Sequence, residues 1–203
     1  MKIICIGRNY ANHAKELGNE LPKEPVFFLK ADTAISPKGH PFFIPDFTSN
    51  VHYEVELVLK INRLGKHIEE RFAHKYYSEI GLGIDFTARD IQDEVKAKGL
   101  PWEKAKGFDG SAVISQRFLA KEELDLANIS FSLHKNGDCV QQGNSKDMIF
   151  HFDKIIAYIS QFYTLKIGDL IYTGTPAGVG QVKNGDVLEG FIENQQLFTV
   201  NIK

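Results

Sequence analysis

Two glutamates, Glu54 and Glu56, stand two residues apart in H-Y-E-V-E-L, and a third acid, Asp85, ends the apolar run I-G-L-G-I-D. On a β-strand, residues two apart share a face with Cα atoms roughly 6.5–7 Å apart. That is close enough for both carboxylates to lean onto one cation at about 2.0–2.6 Å. Such a cation would turn the repulsion of neighbouring acids into attraction. Ligation by oxygen alone points to Mg2+, with Mn2+ and Ca2+ as further candidates, and argues against zinc or copper. The same pattern also reads as a solvent-facing strand whose acids pair with Lys60 or other surface cations. Three carboxylates around one divalent ion carry about −1, so an anionic ligand would need positive groups nearby. Lys30, Arg89 and Lys106 are candidates, and each also reads as ordinary surface charge.

Near the start of the chain His13 and Glu16 lie three apart in N-H-A-K-E-L. On a helix that spacing sets imidazole and carboxylate side by side, so the acid can orient the histidine and raise its basicity for general-base work. An idle exposed pair has the same spacing. Arg89 and Gln92, also three apart, share a helix face and can reach one site. His52 stands on the glutamate face of its strand, either supporting the acids or packing. The stretch T-G-T-P-A-G-V-G at 173–180 lacks the Gly-Lys-Ser/Thr ending of a P-loop and the spacing of a dinucleotide fingerprint. A glycine-rich turn after a strand can present backbone N–H groups as a nest for a small carboxylate, or simply be a tight turn.

These groups need a frame. Val51, Tyr53, Val55, Leu57 and Leu59 alternate with the acids and predict the buried face of one strand over 51–61. A second buried strand is predicted to end at Asp85. Thr87-Ala-Arg-Asp90 resembles a capping box opening a helix to about Lys98, closed by Gly99 and Pro101. Short strands are predicted at 2–6 and 26–30, a helix from Asn9 to Leu17, and a turn-rich lid at 18–25 between them. Residues 34–50, with Pro37, Gly39, Pro41 and Pro45, predict an extended packed loop, and His67 to Ser78 a short helix. Asn136-Gly137 predicts a hairpin joining 129–134 to 138–142. Met148, Phe152, Ile155, Ile156, Ile159, Phe162 and Tyr163 recur at helical spacing over 147–163. D-L-I-Y-T, V-L-E-G-F-I and L-F-T-V-N-I follow as strands. Strands outnumber helices without alternating with them, which predicts a strand-rich α+β fold with a rolled or barrel-like mixed sheet.

The 203 residues are expected to form one domain, with about the first 25 acting as a lid. A net charge of −2 and no run of five or six like charges leave nucleic acid and anionic membrane out as partners. The apolar run before Gly7 is too short for a signal segment or a membrane span, which predicts a cytoplasmic protein. Cys5 and Cys139 lie in unrelated segments and are read as two buried thiols, neither a disulfide nor a thiolate metal site.

G-R-N-Y-A-N-H-A-K-E, H-Y-E-V-E-L, D-F-T-A-R-D-I-Q-D-E with K-G-L-P-W-E-K-A-K-G-F-D, and G-D-L-I-Y-T-G-T-P-A-G-V-G occur in that order. Their order and spacing resemble the fumarylacetoacetate hydrolase family across nearly the whole chain, above all its short branch of acylpyruvate hydrolases and oxaloacetate decarboxylases. The resemblance implies Glu54, Glu56 and Asp85 as ligands of Mg2+ or Mn2+. It implies His13 and Glu16 as a catalytic dyad on a short helix that orders over bound substrate, and Lys106 as a cation facing it. Arg8, Lys30, Arg89, Gln92 and Thr175 fall at substrate-contacting or site-shaping positions. A mixed β-roll and a homodimer are implied as well. The implied substrate is a small 2-keto acid, chelated through its carboxylate and keto oxygens so that the ion stabilises the enolate formed when a C–C bond breaks. That step serves hydrolysis of an acylpyruvate to a carboxylate and pyruvate, or decarboxylation of oxaloacetate. Reprotonation of the same enolate would instead make an isomerase or tautomerase of 2-keto diacids. A non-catalytic metal-binding module is the remaining reading.

Overall fold

The computed structural model describes residues 1–203 apart from 17 and 19. In chain order the first half forms β1 (Ile3–Gly7), α1 (Ala11–Glu16), β2 (Val26–Lys30), β3 (Val51–Tyr53), β4 (Val55–Ile61), α2 (Glu70–Ala73), β5 (Tyr77–Asp85), β6 (Thr87–Ala88), α3 (Arg89–Ala97) and α4 (Glu103–Lys106). The second half forms β7 (Ala112–Ile114), β8 (Leu119–Ala120), β9 (Ser130–Lys135), β10 (Asp138–Asn144), α5 (Phe152–Phe162), β11 (Leu170–Tyr172), β12 (Gly180–Gln181), β13 (Val187–Ile192) and β14 (Gln195–Asn201). The largest sheet runs β2-β1-β11-β4-β5-β7, with β8 also on β5; a second runs β10-β9-β13-β14 and a short third β12-β3-β6. β1 and β11 are parallel while β11, β4 and β5 pair antiparallel, so the large sheet is mixed. This is the strand-rich α+β roll that the pattern of elements predicts.

Burial on both faces explains why β4 is so apolar. Leu57, Leu59 and Ile61 join the main cluster with Leu82, Ile84, Leu133 and Ile155, while Val58 packs with Ile3, Cys5 and Tyr172 on the other side. A fully buried Leu or Ile of this kind contributes about 1.5–3 kcal/mol. Among the described residues no helix is long and apolar enough to cross a membrane.

Several elements depart from expectation for identifiable reasons. The strand predicted over 51–61 is two strands broken at Glu54. There the Val55 amide donates to Gln141 Oε1 at 2.9 Å and the Glu54 carbonyl accepts from the Asp85 amide at 2.8 Å. β3 therefore pairs with β12 and β6, β4 with β11 and β5, and Glu54 sits at the seam between two sheets. The helix predicted over 147–163 starts only at Phe152, because Met148 bridges to Tyr10 and the Ile149 and Phe150 amides donate to Asn9. The helix predicted at 67–78 shrinks to α2, since Tyr77 and Ser78 open β5 and Tyr77 pairs opposite Ile61. No capping box forms at 87–90: the Thr87 hydroxyl serves Lys106, and Asp90 accepts from Thr48 and Ser49. The predicted end of the first helix, Leu17, lies outside the described residues, as does Asn19 of the predicted lid. β1 is an inner strand with Ile3 and Ile4 fully buried, so any lid within the first 25 residues begins after Gly7. Cys5 is buried as expected, but Cys139 is exposed, because β10 is an edge strand paired on one side alone. The hairpin turn stands as predicted, with φ of 55° at Asn136 and 92° at Gly137.

Asn9 ties this frame to the site above it. Its Nδ2 donates to the Phe150 and Thr173 carbonyls at 2.9 and 2.8 Å, and its Oδ1 accepts from the Phe150 amide at 2.8 Å, all buried. Asn9→Ala leaves these backbone groups unpaired and is expected to cost about 2–4 kcal/mol, read as a fall in Tm of about 5–15 °C.

Candidate active site

Antiparallel pairing of β4 and β5 sets Val55 opposite Ile84, which brings Glu54 and Asp85 to the same end of the large sheet. One carboxylate oxygen from each of Glu54, Glu56 and Asp85 lies within 4.8 Å of the others. All three residues are buried, at 5%, 2% and 1% exposure. The solvent-facing reading of the strand is thereby excluded, and Lys60 pairs instead with Glu79. Asp85 Oδ1 is buried and accepts no hydrogen bond; Lys30 Nζ approaches it to 2.7 Å in ion-pair contact. Three hard oxygen donors, one with a free lone pair and none of them sulfur or imidazole, fit a divalent cation of the Mg2+ or Mn2+ kind.

The cations are arranged around these acids. Lys106 Nζ bonds Glu54 Oε2 and Asp85 Oδ2 at 2.8 Å each and the Thr87 hydroxyl at 2.6 Å. Arg89, at the start of α3, pairs with Glu54 and donates to Gln92 Oε1. Lys30 is anchored behind Asp85 by the Ser111 hydroxyl and the Phe86, Lys106 and Ser111 carbonyls. Burial alone would raise the Glu54 carboxyl, but the Lys106 and Arg89 charges outweigh it and hold Glu54 well below the usual carboxylate range. For Lys106, burial works against the ammonium, and Asp85 and Glu54 more than offset it, raising its pKa. Glu56 is the exception. It accepts the Gly174 N–H at 2.6 Å, and burial together with Asp85 and Glu54 pushes its carboxyl well above the usual range.

On α1, His13 Nδ1 stands 3.1 Å from Glu16 Oε2. His13 is buried, and Glu16 in turn accepts the Gly178 N–H at 3.1 Å. The 173–180 turn is thus a nest, but for the chain's own carboxylates: Gly174 holds Glu56 and Gly178 holds Glu16. Both glycines have positive φ, 99° and 97°, and a Cβ at Gly178 would lie 2.6 Å from the Val140 carbonyl. Glu54, Glu56, Asp85, His13, Arg8, Arg89, Gln92, Lys106 and Thr175 line one cleft, while Lys30 and Glu16 stand behind Asp85 and His13. The cleft holds about 420 Å³ of empty space, counting the part open to solvent at its mouth.

The cleft also includes Phe28, Lys96 and Trp102. Lys96 lies seven residues after Arg89, two turns along the same helix face, and was legible from spacing. Trp102 arrives by tertiary packing against Gly7, which no local pattern announces. Gln141 was also beyond reach of the sequence. From β10 it accepts from the Val55 amide and donates to Thr175 Oγ1 at 2.9 Å and the Pro176 carbonyl at 3.0 Å. It thereby pins the seam between the two glutamates to the glycine-rich turn. His52 bonds Asn50 Oδ1 and does not line the cleft.

Comparison with known proteins agrees with this geometry. The family model described as fumarylacetoacetate (FAA) hydrolase C-terminal matches residues 2–201. A mitochondrial oxaloacetate tautomerase of Rattus norvegicus is 45% identical over 94% of this chain and 86% of its own. A mitochondrial oxaloacetate decarboxylase of Dictyostelium discoideum is 46% identical over 93% of this chain and 87% of its own. The crystal structure of fumarylpyruvate hydrolase from Pseudomonas aeruginosa, in complex with Mn2+ and pyruvate, superposes with a TM-score of 0.93 at 34% identity, covering 100% of this chain and 89% of that one. With a match along almost the full length and the same roll underneath, this chain belongs to the fumarylacetoacetate hydrolase family.

Proposed function

We propose that the protein enolises small 2-keto dicarboxylates, oxaloacetate foremost, as a tautomerase that uses Mg2+ or Mn2+ held by Glu54, Glu56 and Asp85. The observation that carries this reading is the convergence of three buried carboxylates beside a buried histidine with its own carboxylate partner. Relatives named for tautomerising or decarboxylating oxaloacetate support the substrate class. When bound, the ion supplies Lewis-acid polarisation of the keto oxygen and stabilises the negative charge that develops there. Lys106 and Arg89 fix the rotamer and charge of Glu54 and so hold the ligand set in place. Glu16 orients His13, which takes a proton from the carbon beside the keto group; that proton, or one exchanged from water, ends on the oxygen, so the enol is formed without loss of atoms. The chain after Tyr10, up to about residue 25, acts as the lid, and the enzyme works as a homodimer.

A second reading is cleavage. The same dyad can deprotonate water for attack on the distal carbonyl of an acylpyruvate, and the Pseudomonas aeruginosa hydrolase with Mn2+ and pyruvate speaks for it. Decarboxylation needs no water. Loss of the oxaloacetate enol absorbance, with NMR of the products, separates the three outcomes. Mg2+-loaded protein is expected to interconvert enol and keto oxaloacetate faster than it releases pyruvate. His13→Ala should lower kcat/KM by about 10²–10⁴ while Mn2+ affinity stays within about twofold, since His13 is outside the acid triad. If neither oxaloacetate nor acetylpyruvate turns over faster than with Glu54→Ala, the reading is wrong.

A further inference from the structure

We propose that Arg8 and Lys96 form a subsite for the far carboxylate of the substrate, selecting 2-keto dicarboxylates over 2-keto monocarboxylates; this rests on the preceding reading of the acid triad.

The charge pattern of the cleft leads there. Its inner cations are each matched to an acid: Arg89 to Glu54, Lys106 to Glu54 and Asp85, Lys30 to Asp85. Arg8 and Lys96 line the same cleft, and among the described residues neither makes a side-chain hydrogen bond or an ion pair. Arg8 Nε is buried without an acceptor. A buried guanidinium nitrogen left unpaired is costly, so the position calls for an anion.

Backbone geometry adds an independent observation. Arg8 has a φ of 59°, in the left-handed region that disfavours residues with a side chain and persists where surroundings over-determine it. Those surroundings are an inner strand, β1, on one side and α1 on the other. The strain holds the guanidinium at the root of the segment that carries His13. Lys96 extends over Trp102 with Nζ 5.7 Å from the ring centroid, and Trp102 itself packs on Gly7 beside Arg8. Lys96 is half-buried, and burial followed by the Arg89 and Arg8 charges depresses its pKa. Arg8 and Lys96 stand above the acids that line the cleft floor, with Asp93 acting on Lys96 from outside the cleft, and complement a ligand whose chelating end goes down to the triad and whose second carboxylate stays at the rim. Arg8 supplies a fork for that carboxylate and Lys96 a mobile point charge.

The test compares oxaloacetate, which has a far carboxylate, with oxalate, which has the chelating atoms and none beyond them. Using Mg2+-loaded enzyme, Lys96→Met and Arg8→Gln are each expected to raise the KM for oxaloacetate at least about tenfold, the loss of one charge-assisted contact, with kcat changed less than about threefold. The inhibition constant of oxalate should stay within about twofold, which also shows that the triad and fold are intact. Lys96→Arg should restore most of the KM. An unchanged KM, or a KM and an oxalate constant that rise together, overturns the subsite while leaving the tautomerase reading standing. Absence of turnover and of oxalate binding in the unaltered protein overturns both.

Discussion

Lys106→Met is expected to lower the stability of the metal-free protein by about 3–5 kcal/mol, a fall in Tm of about 8–15 °C. Methionine keeps the stem of the side chain but removes the ammonium that bonds Glu54, Asp85 and Thr87 inside the protein. Breaking one partner of a buried ion network leaves uncompensated charge, which costs more than the network gained by forming. The sign with pH follows from the raised pKa of Lys106. Its contribution is complete below the ordinary value of 10.5 and is lost only as pH climbs through the higher folded value. At neutral pH the full effect is therefore in play. Saturating Mg2+ should recover part of the lost Tm, because a cation among the acids replaces some of the missing charge. Thermal scans with chelator and with Mg2+ check both statements, and an unchanged Tm in chelator would show that Glu54 and Asp85 are not strained by proximity.

Glu56→Gln should do the opposite to stability while destroying function. Glutamine can still accept the Gly174 N–H, so the local backbone is kept. The carboxyl it replaces is buried beside Asp85 and Glu54 and is pushed well above its ordinary 4.5. A group raised in this way stabilises the fold fully below its unfolded value and loses that contribution as pH rises through the folded one. Stripped of divalent ions, the variant is thus expected to melt several degrees above the parent protein at about pH 8, with the gap closing toward about pH 5. Its Mn2+ affinity should fall at least about 100-fold, taking turnover with it. A variant that melts lower at both pH values would mean that Glu56 is not held against its neighbours.

How far the sequence foretold this site depends on which forces place each group. Strand period puts Glu54 and Glu56 on one face and a local apolar run ends at Asp85, but period alone leaves a solvent-facing strand open; the acids are buried because Glu54 falls at the seam between two sheets. Arg89 and Gln92 share a helix face by spacing, and Lys96 lies one further step along that face. Distant backbone partners account for the rest. The break at Glu54 depends on Gln141, 86 residues away, and the late start of α5 on Asn9, 141 residues from Phe150. In both places a long-range hydrogen bond overrides the local period. The nest at 173–180 was recognised as a shape, but its occupants, Glu56 and Glu16, come from other elements.

The most direct measurement is an electron paramagnetic resonance titration of the metal-free protein with Mn2+, repeated with oxaloacetate or oxalate. One tight Mn2+ per chain is expected, with a signal that broadens when either ligand is added and that is lost in Glu56→Gln. Mn2+ that stays free in solution, or a bound signal indifferent to both ligands, would contradict the claim that these three buried acids exist to hold a cation against a keto acid.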